Sequence, residues 1–359
     1  MVEQGRPIRV GVAGLGRSGW NIHAAAIAAL PGLFRVAAVA DPEEARRHEA
    51  AARFSCRAYP VVDLLFADPS VDLVVIASPN HLHTAHTIAA LQAGKHVICE
   101  KPMAAREEDA QAMIAAARRA GRLLTVFHNR RLEPHVAVLR NLLASGRLGR
   151  IVHVRAAVHR FTRRWDWQTL RQYGGGMLSN IGSHVLDLML ELFPLTDVEV
   201  FAHLDRVLTL GDAEDHCVLM LRGKEGPLLH LEITSAGAFP QDLWLVLGSR
   251  GSLTGGPQRL RWKIADFDHL PDRRLAAQPA AERLYPQDNV TWIEEQWTCP
   301  PQQDDSPYTH QRFYHNVYEA LTQGAPLVVD PESVRRLVGV LEMSKAAVAS
   351  RDAQVLAHA

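Results

Sequence analysis

The chain predicts an α/β fold in two parts: an N-terminal doubly wound parallel sheet over residues 1–129, then an α+β part over residues 130–330 with a largely antiparallel open sheet. Three observations carry this. From Ile8 to about Asn129, short β-branched runs alternate with helical stretches, and continuous apolar strands of this kind are buried on both faces by helices. At the end of the first run stands Gly14-Leu15-Gly16-Arg17-Ser18-Gly19, a glycine turn between a strand and a helix. After Pro134, strand-like runs follow one another at short spacing with turn residues between them, which reads as an antiparallel or mixed sheet.

In order, the first part reads as strand IRVGVAG, a helix from Trp20 to Leu30, strand FRVAAVAD and a helix through Glu49. Strand LVVIAS, a helix through Ala93, strand HVICE, and a helix through Ala120 into LLTVF complete it. A helix ending near Gly146 then leads into IVHVRAAVHRF, VEVFAHL, HCVLMLRG, LLHLEIT, LWLVLG and RLRWKI. Residues 270–308 are rich in Pro, Gln and Asp with weak periodicity and read as a surface excursion. A helical pattern resumes at Phe313, and residues 331–359 read as a last helix packing back on the chain.

Bulk properties exclude several functions. At 359 residues and 47% apolar composition the chain can bury two ordinary cores. Lys plus Arg equals Asp plus Glu at 39 each, so no excess positive field holds a nucleic acid or an anionic membrane. The uncharged stretch Ala24 to Phe34 has 11 residues and contains Pro31 and Gly32, too short to span a bilayer. Residues 1–7 carry Glu3 and Gln4 before Pro7, unlike a leader peptide, so a cytoplasmic location is expected. Cys56, Cys99, Cys217 and Cys299 are scattered, which suits reduced thiols and implies no metal site.

The glycine run has the context of a dinucleotide fingerprint: Asp41 ends the second strand, 22 residues beyond Gly19. Gly14 would make the tight turn, Gly16 would admit a pyrophosphate to the helix N-terminus, and Gly19 would let helix and strand approach. Arg17 and Ser18 lie within the same loop. Asp41 accepts hydrogen bonds from a ribose diol and repels a 2′-phosphate, so NAD is expected over NADP. Its alternative role is helix N-cap before Pro42, and Arg46 and Arg47 leave room for NADP. Ser78, Asn80 and His83 close the next strand at the crevice. His81, His83 and His86 have no local carboxylate or Cys partner for a zinc site, and contacts to the cofactor or to the helix start are expected instead.

Lys101 ends a strand about 80 residues after the fingerprint, at the crevice where open α/β sheets bind ligands. Oxidising an alcohol needs a group that takes the hydroxyl proton while a nicotinamide takes hydride. A lysine desolvated near a cationic nicotinamide has the lowered pKa this requires. Downstream, Gly174-Gly175-Gly176 opens a helix on which Asn180, His184 and Asp187 fall at i, i+4 and i+7, a spacing that puts all three on one face. His184 is expected to hydrogen-bond the same substrate oxygen as Lys101. Asp187 either fixes the His184 tautomer or pairs structurally. Trp165 and Trp167, with Arg163 and Arg164, precede the glycine turn; indoles such as Trp167 stack on sugar faces and arginines suit a carboxylate or phosphate, unless the segment anchors an interface with its arginines solvated.

With the fingerprint, Glu100-Lys101-Pro102 and the Gly-rich turn running into Asn180, Gly182, His184 and Asp187, the chain resembles the glucose–fructose oxidoreductase/inositol 2-dehydrogenase (Gfo/Idh/MocA) family along nearly its whole length. Gly94 to Pro102, Asn129-Arg130-Arg131 and Val328 to Pro331 belong to the likeness. The resemblance implies a Rossmann domain and pyridine-nucleotide chemistry on sugars, sugar acids or cyclitols. It also implies dimers or tetramers formed through the C-terminal sheet, proton transfer at Lys101 and His184, and Glu100 and Asn129 among the cofactor-binding residues. Many members carry Asp where this chain has Asn180; an amide is no base, which shifts weight to Lys101. An NAD-retaining lyase or glycosidase-type enzyme and a non-enzymatic nucleotide sensor are the rival readings.

Overall fold

A computed structural model describes residues 6–275, 285, 287–303 and 306–358. The first sheet comprises β1 (Ile8–Ala13), β2 (Phe34–Ala40), β3 (Arg57–Tyr59), β4 (Leu73–Ile76), β5 (His96–Cys99) and β6 (Leu124–Val126). Its order is β3-β2-β1-β4-β5-β6, all parallel. The order reverses between β1 and β4, and this switch opens a crevice at the strands' carboxyl ends. Helices α1 (Ala25–Ala28), α2 (Glu44–Phe54), α3 (Val62–Phe66), α4 (His83–Gln92) and α5 (Glu107–Ala120) connect the strands. β4 and the last three residues of β5 are fully buried, which explains their unbroken apolar runs.

After α6 (Pro134–Ala144), which has Pro at its first turn, the second sheet begins. Its strands are β7 (Ile151–His159), β8 (Glu199–Asp205), β9 (His216–Arg222), β10 (Leu228–Thr234), β11 (Trp244–Gly248), β12 (Gly251–Gly255), β13 (Arg259–Ala265) and β14 (Trp292–Thr298). Among the described residues the order is β14-β13-β12-β11-β7-β10-β9-β8. β7 and β10 run parallel while the other pairs are antiparallel, so the sheet is mixed. Its strands alternate in burial, as in His216–Arg222, the pattern of a sheet with one covered face. α7 (Ser183–Leu192) packs on β10, and α9 (Pro331–His358) packs on β8 and α5. Before α9 runs α8 (Ser306–Gln323).

Three strands escape the sequence reading. β3 and β12 are short, and β12 is bounded by glycines, so neither carries a periodic apolar signal. β14 lies within residues 270–308 and corrects their reading as a surface excursion: it pairs with β13 from Ala265↔Trp292 to Arg259↔Thr298. Its side chains are mostly exposed, with Trp297 packed against the core, so the backbone ladder and pairs such as Trp262 Nε1 donating to Glu295 at 2.8 Å do most of the holding. Residues 276–284, 286, 304 and 305 of that segment, like residues 1–5 and 359, lie outside the described residues. α8 starts before Phe313 because its first two turns are polar.

A buried ion pair ties the two sheets' helices together. Arg131, in the turn Asn129–Leu132 after β6, donates Nε and Nη2 to the two Asp187 oxygens of α7 at 2.8 and 2.5 Å. Its remaining donors reach Val328 O and Ser333 Oγ of α9. Both partners are buried, and removing one would strand the other's charge away from water. Asp187→Ala is therefore expected to cost about 3–5 kcal/mol, read as a lowered denaturant midpoint. A midpoint within error of the unmodified chain would show that the pair does not hold these elements.

Candidate active site

The crevice is built from the carboxyl ends of β1, β2, β4 and β5. Gly14 turns with φ of +97°, and a Cβ there would sit 2.5 Å from Ala77 O. A Cβ on Gly19 would come within 1.8 Å of Gly14 O, whereas one on Gly16 would meet nothing within 4 Å. The backbone at Gly16 thus faces open space beside Arg17 and Ser18, the approach an anionic diphosphate needs. The helix begins with a wide π-helical turn over Gly19–Ala24, and such turns gather at functional sites.

Asp41 is almost fully buried. Its Oδ2 accepts from Leu15 N–H at 2.7 Å and its Oδ1 from Glu43 N–H at 2.9 Å, so the carboxylate ties down the glycine loop and the turn into α2; the N-cap of α2 is Glu43, which corrects the expectation that Asp41 caps the helix. Each oxygen retains a second acceptor site. Arg46 stands 3.7 Å from Oδ2, and Arg47 donates to the Asp41 carbonyl at 2.9 Å.

His83 is corrected from a cofactor contact to a buried strut. Its Nδ1 lies 2.8 Å from Pro102 O and its Nε2 2.9 Å from Ser78 O; burial lowers its pKa, so the neutral ring donates to one of these carbonyls and is wedged against the other, away from solvent. Ser78 Oγ pairs with His86 Nδ1 at 3.0 Å. Glu100 is likewise turned inward: Oε1 lies 3.1 Å from His23 Nε2, and Oε2 accepts from Lys101 N–H at 3.0 Å. Asn129 is directed to α8, donating to Thr309 Oγ1 at 3.0 Å. Long-range packing, invisible in a local motif, claims these side chains.

Lys101 meets the second half of the chain directly. Its Nζ donates to Asn180 Oδ1 at 2.9 Å and to Asn180 O at 3.3 Å. Asn80, Lys101, Pro102, Gln168, Gly174, Gly175, Gly176 and Asn180 line one small polar pocket. Asn80 Nδ2 donates to Gly174 O at 3.3 Å, joining the rims. Gln168, which sequence reasoning missed, links Arg164 Nη2 (2.8 Å) to Asn180 Nδ2 (3.4 Å) through its Oε1. Its one sequence signal is its place between Trp167 and the glycine turn. Trp167 is not in the pocket lining; its ring stands edge-on to Tyr173, which in turn packs near His81.

The three-residue helix face is only partly convergent. A π-helical turn over Leu178–Gly182 alters the spacing expected from a regular helix. Asn180 meets Lys101, but Asp187 is spent on Arg131 and does not set the His184 tautomer. His184 stands edge-on to His128 with ring centroids 5.8 Å apart, and its buried Nδ1 has no hydrogen-bond partner among the described residues.

Electrostatics single out the same group. Burial pulls the Lys101 amine below the ordinary lysine value; Glu100 opposes this, while Arg130, Arg17 and Arg164 add to it. His184 is held well below the usual histidine value by burial first, then by Lys101, Arg130 and His128. Burial also brings His128 down to about 4, against the opposing charge of Asp187. A desolvated lysine with neutral imidazoles beside it can exchange a proton with a bound hydroxyl or carbonyl near neutral pH.

Comparison with known proteins gives the same picture. An oxidoreductase family with an NAD-binding Rossmann fold matches residues 8–128, and the GFO/IDH/MocA C-terminal domain matches residues 136–254. The chain is 29% identical to an uncharacterised oxidoreductase of Schizosaccharomyces pombe over 94% of its own length and 95% of that protein. It is 31% identical to inositol 2-dehydrogenase 2 of Saccharopolyspora erythraea, over 69% of this chain and 71% of that one. The WlbA dehydrogenase of Bordetella pertussis, solved with NADH and UDP-GlcNAcA, superposes with a TM-score of 0.77 at 25% identity, covering 97% of this chain and 96% of its own.

The glycine geometry separates folding from binding. Gly16→Ala has room for its methyl group, so the variant should keep its melting temperature while losing at least about tenfold in NAD(H) affinity, because the methyl occupies the phosphate approach. Gly19→Ala, aimed at Gly14 O, should destabilise the chain. Calorimetric titration and thermal melts check both; unchanged affinity in Gly16→Ala would remove the diphosphate from this loop.

Proposed function

The chain belongs to the GFO/IDH/MocA family of NAD(P)-dependent oxidoreductases, and from that premise we propose that it transfers hydride between a nicotinamide and a hydroxyl or keto position of a sugar, sugar acid or cyclitol. The observation that carries this is the desolvated Lys101 ammonium, held against Asn180 in a polar pocket beside the glycine crevice. Its relatives support the substrate class: one is named inositol 2-dehydrogenase 2 and another was solved with a nucleotide sugar.

In the oxidative direction the neutral Lys101 amine takes the substrate hydroxyl proton; in reduction the ammonium returns it. Bound nicotinamide supplies the hydride acceptor or donor. Asn180 orients the amine, and His184, neutral in its buried setting, offers an imidazole to the same oxygen. Gly14, Gly16, Arg17, Ser18 and Gly19 receive the diphosphate, Ser78 and Asn80 border the nicotinamide side, and Trp167 is assigned to the outer part of the substrate path. NAD is assigned over NADP, because the Asp41 carboxylate opposes a 2′-phosphate on the ribose. Self-association as a homodimer or homotetramer is assigned to the open face of the second sheet, where paired Phe201 and Met220 are exposed.

Following NADH and NADPH production across a panel of sugars, sugar acids and inositols tests the reading. Net reduced NAD with one of them, and a fall of roughly 10²–10⁴-fold in kcat for Lys101→Ala with retained NAD binding, are expected. Product without net NADH would favour an NAD-retaining reaction, and normal turnover by Lys101→Ala would remove the proton-transfer role.

Asn180 provides a pH test. Asn180→Asp places a carboxylate where Oδ1 now lies 2.9 Å from the Lys101 ammonium, which favours the charged form and raises that amine's pKa. Oxidation needs the neutral amine, so its rise in kcat/KM with pH should move upward by about one pH unit or more. A pH–rate profile that superposes on that of the unmodified enzyme would mean that Lys101 is not the group titrating in catalysis.

A further inference from the structure

Behind Lys101 lies a line of buried polar side chains that the reaction as described leaves unused. Tyr314 of α8, His23 of the turn Gly19–Ala24 and Glu100 at the end of β5 are all buried, the first two completely. Tyr314 Oη lies 2.8 Å from His23 Nδ1, and His23 Nε2 lies 3.1 Å from Glu100 Oε1. The second Glu100 oxygen accepts the backbone N–H of Lys101. We propose that His23 and Tyr314 are positioning residues for Lys101, a Tyr314–His23–Glu100 chain that holds the carboxylate in place against the Lys101 loop and thereby governs the charge on its amine. This rests on the proton-transfer role of Lys101.

Every member finds a partner within this chain. Burial opposes a charge on Glu100, but the bond and charge of His23, with the Lys101 charge and N–H, outweigh it and hold its pKa at about 2. An ionised carboxylate only accepts, so His23 Nε2 must donate to it. With its proton on Nε2 alone, His23 accepts at Nδ1 from Tyr314 O–H; with both nitrogens protonated, Nδ1 donates to Tyr314 Oη, so Nε2 donates to Glu100 and the hydroxyl is paired in either form. Burial and then Glu100 raise the Tyr314 hydroxyl well above its ordinary value, so it keeps the proton it gives. The assembly is locked by rings: His23 packs on Phe127 at 4.5 Å, and Tyr314 meets Phe34 edge-on at 5.3 Å.

The carboxylate matters because Lys101 otherwise sits in a positive field. Arg130, Arg17 and Arg164 all lower its proton affinity, and Glu100 is the strongest charge raising it. His128 and His184 also face the ammonium. On Glu100 act His23, Lys101, Tyr314, His83 and His128. Without the His23 donor, burial returns Glu100 toward its neutral form, and the Lys101 amine loses its counter-charge.

The decisive measurement is the pH dependence of Lys101 acetylation by trace acetic anhydride, which releases acetate, read by mass spectrometry on the full chain, beside the pH–rate profile. His23→Leu should move both midpoints to lower pH by about one unit or more, Tyr314→Phe by less in the same direction, and His23→Gln, which keeps a donor near Nε2, should bring both midpoints most of the way back to those of the unmodified chain. A folded His23→Leu with lowered melting temperature but unmoved midpoints would overturn the proposal. If His23→Leu does not fold, Tyr314→Phe decides: an unmoved Lys101 midpoint overturns it. A shifted acylation midpoint together with normal turnover by Lys101→Ala would support the network and refute instead the catalytic reading on which its purpose rests.

Discussion

A lysine amine withdrawn from water must have its donors placed and its charge compensated, and Lys101 meets both demands only through groups supplied from elsewhere in the chain. Its hydrogen-bond acceptors come from Asn180, 79 positions away. Its nearest compensating charge comes from Glu100, itself held by the helix of the glycine fingerprint and by α8. The cost of burying an unsatisfied ammonium therefore forces the parallel sheet, the glycine turn before α7 and the helix after β14 into one relative arrangement. The pocket exists because these groups meet there.

The same logic repeats behind the site. Arg131 and Asp187 satisfy one another while binding the end of the first sheet to α7 and α9; His83 joins the loops after β4 and β5 through two carbonyls. Such contacts make poor sources of net stability, since desolvation offsets much of what the pairing returns. Their effect is geometric: each has few alternative partners, so each excludes other placements of the elements it joins.

How much of this was legible in the sequence follows from the range of the forces involved. The parallel sheet was readable because burial on both faces writes an unbroken apolar run, as in Leu73–Ile76, and Gly14 and Gly19 were readable because local sterics dictate them. β14 was not, since an edge strand is specified by its neighbour's free backbone groups and not by its own side chains. Asp187 lay on the expected helix, yet its partner sits 56 positions earlier, and periodicity says nothing about such a distance. His83 and Glu100 stand in the right motifs, but motif spacing does not reveal which way a ring or carboxylate turns.

Asp41 holds the glycine loop and the turn into α2 together without being that helix's cap. Taken as ribose partner or as helix cap, the carboxylate was offered as an alternative; folded, it already bonds Leu15 N–H and Glu43 N–H with different oxygens. A carboxylate has about four acceptor sites, so two remain after the backbone is served. By holding Leu15, Asp41 fixes the glycine loop, and by accepting from Glu43 N–H it fixes the turn into α2, whose N-cap is Glu43 and not Asp41. Its charge is thus carried at a defined place by the fold itself, at the carboxyl end of β2 beside the glycine loop.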